Sequence, residues 1–446
     1  YTTDGSEPTI ESEKYTGPLK ISENTPVSAI AVKSGYLPSD PVVNTYITEE
    51  HSATLPTVCI SIDEADFRSL YTVKFYTGEN GKTYVAKKID EIERRANIEY
   101  YENDGKLGVS FPCGIRVTGN GTRTYNQKSL AIFARPGYGQ SSIVYPFFEG
   151  CPMSEFQSLV LRNAGQNRDE SRMSDVLASN VFQGMNLDSA YSKFVVVYIN
   201  GEYFGIYDLK EKINENYFAS YYGVDPDTVN TIRRNYTAIA GDNKQVKEVY
   251  SYAQRWSTSN DETFKKFTEY VDQYAWIDYI IARSYTGDGD IFNQKLWNTN
   301  DYQVKWRPIF FDCDFSFTGQ GSTLGVYFKS GGHPSPDGTL TNMHIGTALK
   351  RNEGWRDMFV KRYAEVLKWV PERSLELFDE YYAQLEPEMA RHIKRWGTHS
   401  SLNEWKNEAQ AQRKILEKRP YVVTKQIQNV FDVSDAEMKE LFPKYY

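Results

Sequence analysis

Apolar and polar residues alternate along much of the first half of the chain, a pattern that predicts β-strands with one buried face. Strands are expected over residues 58–62, 74–76, 96–101, 114–118 and 128–133. Two more, at 193–199 and 203–209, are separated by Asn200-Gly201, a dipeptide that favours a two-residue hairpin turn. Between these two groups, apolar residues at helical spacing predict the first helix over 171–182.

The carboxyl-terminal half has the spacing of amphipathic helices. Helices are expected over 262–284, 356–368, 373–395 and 401–418, with a short strand over 294–297. The predicted fold class is therefore α+β, in which a β-rich part is followed by a mainly helical part.

The first 48 residues have a pattern of their own. Short strands are expected over 1–9, 25–33 and 42–47, separated by turns rich in Gly and Pro. The stretches YTTDGSEPT, YTGPLKI and VSAIAVKSGYLPSDPVVNTYI closely resemble the chitobiase C-terminal β-sandwich module of secreted bacterial enzymes. The resemblance begins in the middle of that module, so we expect a partial sandwich with an exposed edge. Residues 1–48 are accordingly predicted to form a small all-β module, and residues 49–446 a separate domain.

The composition limits the classes of function. With 446 residues and a net charge of −8, the chain is too long for one small domain and too acidic for a nucleic-acid-binding surface. No apolar run approaches the roughly 18 residues that a membrane-spanning helix needs. The four cysteines lack paired spacing and the five histidines lack an HExxH pattern, which argues against a thiolate zinc site and a zincin centre.

Two segments rich in aspartate indicate the clearest chemistry. They are the first acidic turn, TGDGDIFN (286–293), with Asp288 and Asp290, and the second acidic turn, FFDCDFSF (310–317), with Asp312 and Asp314. Divalent cations such as Mg²⁺ prefer oxygen ligands, and phosphoryl transfer needs such a cation beside a carboxylate. On an extended segment, Asp312 and Asp314 would point to one face and share a metal, while Cys313 would face the core. The alternative is that these aspartates simply cap turns at strand ends.

A glycine-rich turn precedes a lysine-bearing strand further upstream. In GIRVTGNGTR (114–123), glycines would let backbone amides approach a phosphate, and Arg116 and Arg123 would add positive charge. Lys128 follows at the start of an apolar strand. The same residues also suit an ordinary hairpin turn and a lysine whose ammonium reaches solvent from a strand end, so both alternatives stay open.

Five segments stand out along the chain: GIRVTGNGTRTYNQKSLAIFARPGYG, LVLRNAGQNRDESRMSDVLASNVF, VVVYINGEYFGIYDLKEKINENYF, GDGDIFNQKLW and KWRPIFFDCDFSF. In this order they resemble the spore-coat CotH kinase family, and the resemblance runs from about Leu55 to the carboxyl end. It implies an atypical protein-kinase-like fold, with a β-rich lobe at about 55–212 and a mainly helical lobe at about 213–446. It also implies a secreted enzyme that uses ATP with Mg²⁺ or Mn²⁺. Protein kinases likewise place a lysine strand, a helix, a hairpin, a catalytic turn and a metal-binding aspartate in this order.

By this resemblance, four residues would bind ATP. Lys128 would hold the phosphates, Arg116 and Arg123 would assist it, and Glu211 in GIYDLKE would lie on the hinge side near the adenine. Charged residues before and within the first helix include the acid that would pair with Lys128, and the sequence does not choose among Asp169, Glu170, Arg172 and Asp175.

The resemblance also assigns the acidic turns. Asp290 matches the family's catalytic aspartate, which would orient or deprotonate a Ser or Thr hydroxyl. The implied metal ligands are Asn293, Asp312 and Asp314. Asp288 is either a third carboxylate ligand or a plain turn residue. The step from Asp290 to Asn293 is shorter than the corresponding step in ordinary protein kinases, and no His-Arg-Asp precedes it.

We therefore expect an extracellular or cell-surface bacterial protein kinase that transfers the γ-phosphate of ATP to Ser or Thr of a surface or secreted partner protein. Two alternatives stay open: a non-catalytic adhesion or scaffold protein with the same fold, and a transferase that acts on a non-protein acceptor such as a glycan. The enzyme is favoured because a pseudokinase usually lacks at least one essential residue, and this chain has Lys128, Asp290, Asn293, Asp312 and Asp314. The sequence does not indicate the acceptor, the metal preference or the oligomeric state.

Overall fold

A computed structural model describes the chain at residues 1–49, 52, 54–72, 75–77, 83–85, 92–233, 237–290, 293–319, 321, 323–328 and 343–446. The fold is mixed α/β, with an all-β region at the amino-terminal end and a helical carboxyl-terminal part, as the sequence predicts. No helix among these residues combines the length and the hydrophobicity that crossing a membrane requires.

The strands are β1 Thr25–Ala29, β2 Val42–Tyr46, β3 Thr57–Ser61, β4 Phe75–Thr77, β5 Thr83–Val85, β6 Arg94–Tyr101, β7 Leu107–Thr118, β8 Ser129–Phe133, β9 Ile143–Val144, β10 Glu155–Phe156, β11 Ser158–Arg162, β12 Asp188–Ser189, β13 Ser192–Ile199, β14 Glu202–Glu211, β15 Val229–Arg233, β16 Thr237–Ala240, β17 Lys295–Thr299 and β18 Arg307–Phe310. The helices are α1 Glu64–Tyr71, α2 Ser174–Val181, α3 Glu215–Tyr222, α4 Lys244–Arg255, α5 Asp261–Phe267, α6 Gln273–Thr286, α7 Met343–Lys350, α8 Glu353–Val366, α9 Val370–Trp396, α10 Leu402–Phe431 and α11 Asp435–Leu441.

The chain divides into two compact units. The first unit comprises Tyr1–Arg168, Ser192–Lys212 and Tyr382–Glu404, and the second unit comprises Asp169–Tyr191, Ile213–Tyr381 and Trp405–Tyr446. The domain division expected from the sequence, 1–48 and 49–446 with lobes at about 55–212 and 213–446, stays a prediction.

The first unit is built around a closed barrel with the strand order β11-β14-β13-β3-β6-β7-β8. Neighbouring strands are antiparallel except β13 and β3, and the pairing of β8 with β11 closes the barrel. Every residue of β3 and β8 is buried, as expected for strands that are apolar along most of their length. The expected strand over 74–76 lies partly outside the described residues.

The β13–β14 hairpin confirms the turn predicted from the sequence. Asn200 and Gly201 have φ angles of 50° and 81°, so both central residues adopt the left-handed conformation that a tight hairpin turn of this kind requires. The Asn200 side chain also accepts a hydrogen bond from the Ile62 backbone N–H at 2.9 Å. The turn is thereby held against the end of β3.

The amino-terminal strands β1 and β2 form a two-stranded sheet within the first unit. Val43 and Thr45 face inward, whereas Val42 and Tyr46 are 64% and 51% exposed on the outer face. The expected strand over residues 1–9 is wrong, because the backbone turns at Asp4, whose side chain accepts a hydrogen bond from the Ser6 N–H at 3.0 Å. A single bridge from Thr2 to Ser28 remains.

A buried carboxylate joins this small sheet to the barrel. Glu99 in β6 is fully buried and accepts hydrogen bonds from the Thr45 backbone N–H at 3.0 Å and from the Thr45 hydroxyl at 2.5 Å. The Tyr101 hydroxyl donates a third hydrogen bond to Glu99 at 2.5 Å. A buried carboxyl group needs such hydrogen-bond partners, so β2 helps to stabilise Glu99 inside the unit.

The second unit contains a five-stranded sheet with the order β12-β18-β17-β15-β16. The Trp297 ring in β17 stacks on Phe218 in α3 at 3.9 Å between centroids, and its indole N–H donates to Asp188 at 2.8 Å. This core supports both acidic turns. Helix α6 leads into the first acidic turn, and β18 leads into the second.

The single helix expected over 262–284 is instead two helices, α5 and α6. Asp272 caps α6 by accepting hydrogen bonds from the backbone N–H groups of Tyr274 and Ala275, each at 3.1 Å. Just before this cap, the Tyr270 carbonyl accepts a hydrogen bond from the Trp306 N–H at 2.9 Å. The chain therefore makes a short strand-like contact where the apolar pattern alone predicts a continuous helix.

Candidate functional site

The first acidic turn begins where α6 ends. Gly287 caps the helix with a φ angle of 65°, and the buried Arg419 donates hydrogen bonds to the carbonyls of Ser284 at 2.7 Å and Tyr285 at 2.8 Å. A Cβ atom at position 287 would lie 3.0 Å from the Arg419 guanidinium. Glycine is therefore required both by the backbone conformation and by the closeness of the arginine.

Asp288 forms a buried ion pair with Arg283, which lies one turn earlier in α6. The two side chains are 0% and 1% exposed, respectively. Burial raises the pKa of Asp288, and the Arg283 guanidinium opposes that rise. The other carboxylate oxygen of Asp288 accepts a hydrogen bond from the Asp290 backbone N–H at 2.9 Å. Asp288 therefore shapes the turn that presents Asp290.

Asn293 joins the two acidic turns. Its backbone N–H donates to the Asp290 carbonyl at 3.1 Å, and its side-chain amide donates to the Asp312 carboxylate. Ile291 and Phe292 lie outside the described residues. Of the predicted metal ligands, the structure thus brings Asn293 and Asp312 into direct contact.

The second acidic turn is not extended, so the expectation that Asp312 and Asp314 alternate along a strand is wrong. Strand β18 ends at Phe310, and Asp312 has a φ angle of 56°, in the left-handed region. The chain then folds back, since the Ser316 N–H donates to the Cys313 carbonyl at 3.0 Å. Asp312 is partly exposed and Asp314 is buried.

Cys313 faces the core, as the sequence predicts, and is fully buried. Its backbone N–H donates to the Asp175 carboxylate in α2 at 2.8 Å. Asp175 is one of the charged residues that the sequence offers as a partner of Lys128. In the structure, its carboxylate instead binds the backbone of the second acidic turn. An aspartate in the first turn of a helix is also stabilised by the helix dipole.

The oxygen-rich composition of the two turns fits a hard divalent cation. Carboxylate and amide oxygens are the ligands that Mg²⁺ and Mn²⁺ prefer. Across the described part of the chain, no three His, Cys, Asp or Glu side chains are grouped as a metal ion would need. The predicted set has two carboxylates and one amide, so a bound cation would also use oxygens from ATP phosphates and water.

Lys128 directs its ammonium towards the backbone of its own loop. The Nζ atom donates to the Arg123 carbonyl at 2.7 Å and to the Tyr125 carbonyl at 3.0 Å, and it lies 5.4 Å from the centre of the Tyr71 ring. Burial lowers the pKa of this lysine. Within the described ranges, no carboxylate forms an ion pair with Lys128.

Three buried polar residues that the sequence did not single out hold the backbone around Lys128. Gln127 donates from its side chain to the Ile206 carbonyl at 2.8 Å, and Asn163 donates to the Gln127 carbonyl at 2.6 Å. His392 in α9 accepts a hydrogen bond from the Ile206 N–H at 3.0 Å. Gln127 and Asn163 stand beside apolar runs, in the segments QKSLAIF and LVLRNAG, whereas His392 lies in the charged segment RHIKRW, which gives no such signal.

The remaining nucleotide-binding candidates also lie in the first unit. Arg116 in β7 stacks on the Phe133 ring at 4.6 Å, and Arg135 lies 4.7 Å from the same ring. Arg123 lies in a short 3₁₀ turn, Gly121–Thr124. Glu211 is the last residue of β14 and is buried.

The predicted residues thus divide between the two units. Lys128, Arg116, Arg123 and Glu211 belong to the first unit, and Asp290, Asn293, Asp312 and Asp314 belong to the second.

Family models identify two regions of the chain. Residues 1–44 match the chitobiase/beta-hexosaminidase C-terminal domain, and residues 115–423 match the model described as CotH kinase protein. No curated protein matches the chain. The second match covers more than half of the 446 residues and includes every predicted site residue. The chain therefore belongs to the CotH kinase family.

Proposed function

We propose that the protein transfers the γ-phosphate of ATP to a Ser or Thr hydroxyl of a surface or secreted partner protein. The observation that carries this proposal is the junction of the two acidic turns, where Asn293 contacts both the Asp290 carbonyl and the Asp312 carboxylate. In a chain of a kinase family, this junction supplies a carboxylate for the acceptor next to oxygen ligands for a metal.

In the proposed reaction, Asp290 orients the acceptor hydroxyl and accepts its proton. Asn293, Asp312 and Asp314 hold Mg²⁺ or Mn²⁺ through side-chain oxygens. The cation, when bound, neutralises charge on the β- and γ-phosphates. Asp288 does not take part in this ligand set, because its carboxylate is committed to Arg283 and to the Asp290 N–H.

Lys128 is the proposed phosphate ligand of the first unit. To reach a phosphate, its ammonium exchanges the carbonyls of Arg123 and Tyr125 for phosphate oxygens. Because burial lowers the pKa of Lys128, a phosphate anion nearby would stabilise the protonated form that binding requires. Arg116 and Arg123 add positive charge, and the backbone beside Glu211 meets the adenine.

We place the activity outside the cytoplasm of a bacterium. The support is the chitobiase/beta-hexosaminidase C-terminal domain match at residues 1–44, which resembles modules of secreted bacterial enzymes.

A non-catalytic adhesion or scaffold protein is the second candidate. It is favoured by one observation: the Lys128 ammonium hydrogen-bonds carbonyls of its own loop, and the described residues provide no acidic partner for it. A scaffold would keep the fold and have no need for a nucleotide.

Incubation with labelled ATP and Mg²⁺ tests the two candidates. The wild-type protein is expected to label itself or a generic acceptor, and Asp290→Ala and Asp312→Ala each to lower the rate by about 100-fold or more. The matched control is Asp301→Asn, an exposed aspartate that caps a turn of the second unit through the Gln303 N–H at 3.0 Å. A wild-type protein that neither binds ATP nor becomes labelled would establish the scaffold instead.

A further inference from the structure

Arg283 contacts both acidic turns with one side chain. It lies in α6 and is 1% exposed. One terminal nitrogen forms the ion pair with Asp288, and the other donates to the Phe311 carbonyl at 2.7 Å. Phe311 immediately precedes Asp312 along the chain. A single guanidinium therefore spans the space between the segment that carries Asp290 and the segment that carries Asp312.

Each of the two contacts acts on a residue of the proposed site, Asp290 or Asp312, through one intermediate group. Asp288 binds the Asp290 backbone N–H at 2.9 Å, so the ion pair fixes the conformation of the first turn. Asp312 has a φ angle of 56°, and the carbonyl just before it is bound by Arg283, so the sharp turn there is held in place. A non-glycine residue in this conformation persists only when its surroundings enforce it.

The surroundings of Arg283 leave its guanidinium little freedom. Its central carbon lies 5.2 Å from the Phe310 ring centre and 5.7 Å from the Tyr279 ring centre. A planar guanidinium donates from two fixed directions, whereas a lysine ammonium is a compact charge on a flexible stem. A lysine at this position would keep either the ion pair with Asp288 or the contact with the Phe311 carbonyl. It would not make both contacts at once, so the spacing between the two acidic turns would no longer be fixed.

We infer that Arg283 is a positioning residue that sets the separation of the two acidic turns. The first turn places the ligand Asn293, whose N–H donates to the Asp290 carbonyl at 3.1 Å, and the second carries the ligand Asp312, so this separation sets the affinity of the site for its divalent cation. This inference rests on the proposed function. It concerns neither a metal ligand nor a group that touches ATP, because Arg283 acts through Asp288 and the Phe311 backbone.

The test compares Arg283→Lys with the wild-type protein in Mn²⁺ binding, followed by electron paramagnetic resonance, and in the Mg²⁺ dependence of ATP turnover. We expect the variant to remain folded, to bind Mn²⁺ about tenfold or more weakly, and to need correspondingly more Mg²⁺ for half-maximal turnover. The affinity for a fluorescent ATP analogue in the presence of a chelator should stay within about twofold of the wild-type value, since Lys128 is untouched.

Arg362→Lys is the matched control. Arg362 also binds α6, through two hydrogen bonds to Asp278 at 2.8 and 2.9 Å, and it contacts neither acidic turn. We expect this control to leave Mn²⁺ affinity and the Mg²⁺ requirement unchanged. If the control weakened Mn²⁺ binding as much as Arg283→Lys, the effect would be a general loosening of α6 and the inference would be overturned.

A second variant keeps the inference testable if Arg283→Lys does not fold. Arg283→Met combined with Asp288→Asn removes the whole ion pair without leaving a buried charge, and an asparagine oxygen can still accept from the Asp290 N–H. A folded variant with wild-type Mn²⁺ affinity and Mg²⁺ requirement would overturn the inference while the proposed function stands. A wild-type protein that binds no Mn²⁺ and turns over no ATP would overturn the proposed function, and the inference with it.

Discussion

Asp312 combines an unusual backbone conformation with a proposed role in metal binding. Its φ angle of 56° is unfavourable for most side chains, and aspartate tolerates it better than alanine does. Its carboxylate accepts a hydrogen bond from Asn293 and is a proposed metal ligand. The two roles can be separated, because an asparagine keeps the conformation and removes the charge.

We predict that Asp312→Asn keeps the free energy of unfolding within about 0.5 kcal/mol of the wild-type value and lowers metal-dependent labelling about 100-fold. Asp312→Ala should lose activity and also about 1 kcal/mol of stability, since alanine is strained in the left-handed region. Urea unfolding and labelling with ATP measure the two effects.

Asp432→Ala is the control for the stability cost of alanine in the left-handed backbone conformation. Asp432 has a φ angle of 55° and is exposed at the end of α10. It should lose similar stability with no loss of labelling. If Asp312→Asn were as active as the wild type, Asp312 would not be a metal ligand.

At the scale of an element, the end of α6 determines where the first acidic turn begins. Gly287 stops the helix, and Arg419 from α10 binds its last carbonyls. Helix α3 ends in the same way at Gly223, with a φ angle of 67°, but no atom lies within 4 Å of the place where a Cβ would be. Among the described residues, the arginine beside Gly287 therefore has no counterpart at Gly223.

Gly287→Ala and Gly223→Ala make a matched pair. Gly223→Ala should cost about 1 kcal/mol or slightly more, the backbone cost of alanine at a left-handed helix cap. Gly287→Ala should cost more than that, because its methyl group also displaces the Arg419 guanidinium from 3.0 Å. Urea unfolding of both variants gives the comparison, and equal losses would mean that the guanidinium moves aside freely.

Some elements were predictable from local pattern and others were not. Short runs of apolar residues located β3 and β13, and Asn200-Gly201 located the hairpin, because these signals lie within a few neighbouring residues. The break before α6 was missed because Asp272, its cap, lies inside an amphipathic pattern that continues on both sides. Helix α10 runs to Phe431 instead of stopping near residue 418, since buried Val423 and Ile427 continue the apolar face beyond Pro420.

The residues of the candidate site also divide into those that the sequence predicted and those that it did not. The sequence located the acidic residues and, through the family resemblance, gave them roles. It did not identify Arg283, because an arginine within an apolar helix carries no local sign of the partners it meets in space. Nor did it predict the bend at Asp312, because an apolar residue pair followed by alternating aspartates has the pattern of an extended strand.

At the scale of the whole molecule, the amino-terminal strands belong to the same compact unit as the barrel. Thr45 in β2 supplies two of the three hydrogen bonds that Glu99 receives. The stability of the barrel is therefore coupled to the small sheet of β1 and β2, most of which lies in the region that a separate family model matches, residues 1–44.

We predict that Thr45→Val destabilises the protein by about 1–3 kcal/mol, because it leaves a buried carboxyl oxygen of Glu99 without its hydrogen-bond donor. The loss should appear in the same urea transition as the barrel. Thr48→Val is the control, because the Thr48 hydroxyl is exposed and makes a long 3.3 Å contact to Asn24. A separate early transition in the Thr45 variant would show that the small sheet unfolds on its own.

The contacts of α9 with β14 have a consequence for association between molecules. Strand β11 pairs with β14 at residues 208–211 and ends there, so it does not pair with the backbone of β14 before residue 208. Side chains bind it instead: His392 and Gln127 at Ile206, and the Trp396 indole N–H at the Phe204 carbonyl at 2.8 Å. A strand with free donors and acceptors along one side invites pairing with another chain and, from there, aggregation. By occupying these groups, α9 and Gln127 protect the barrel from adding a foreign strand at this position.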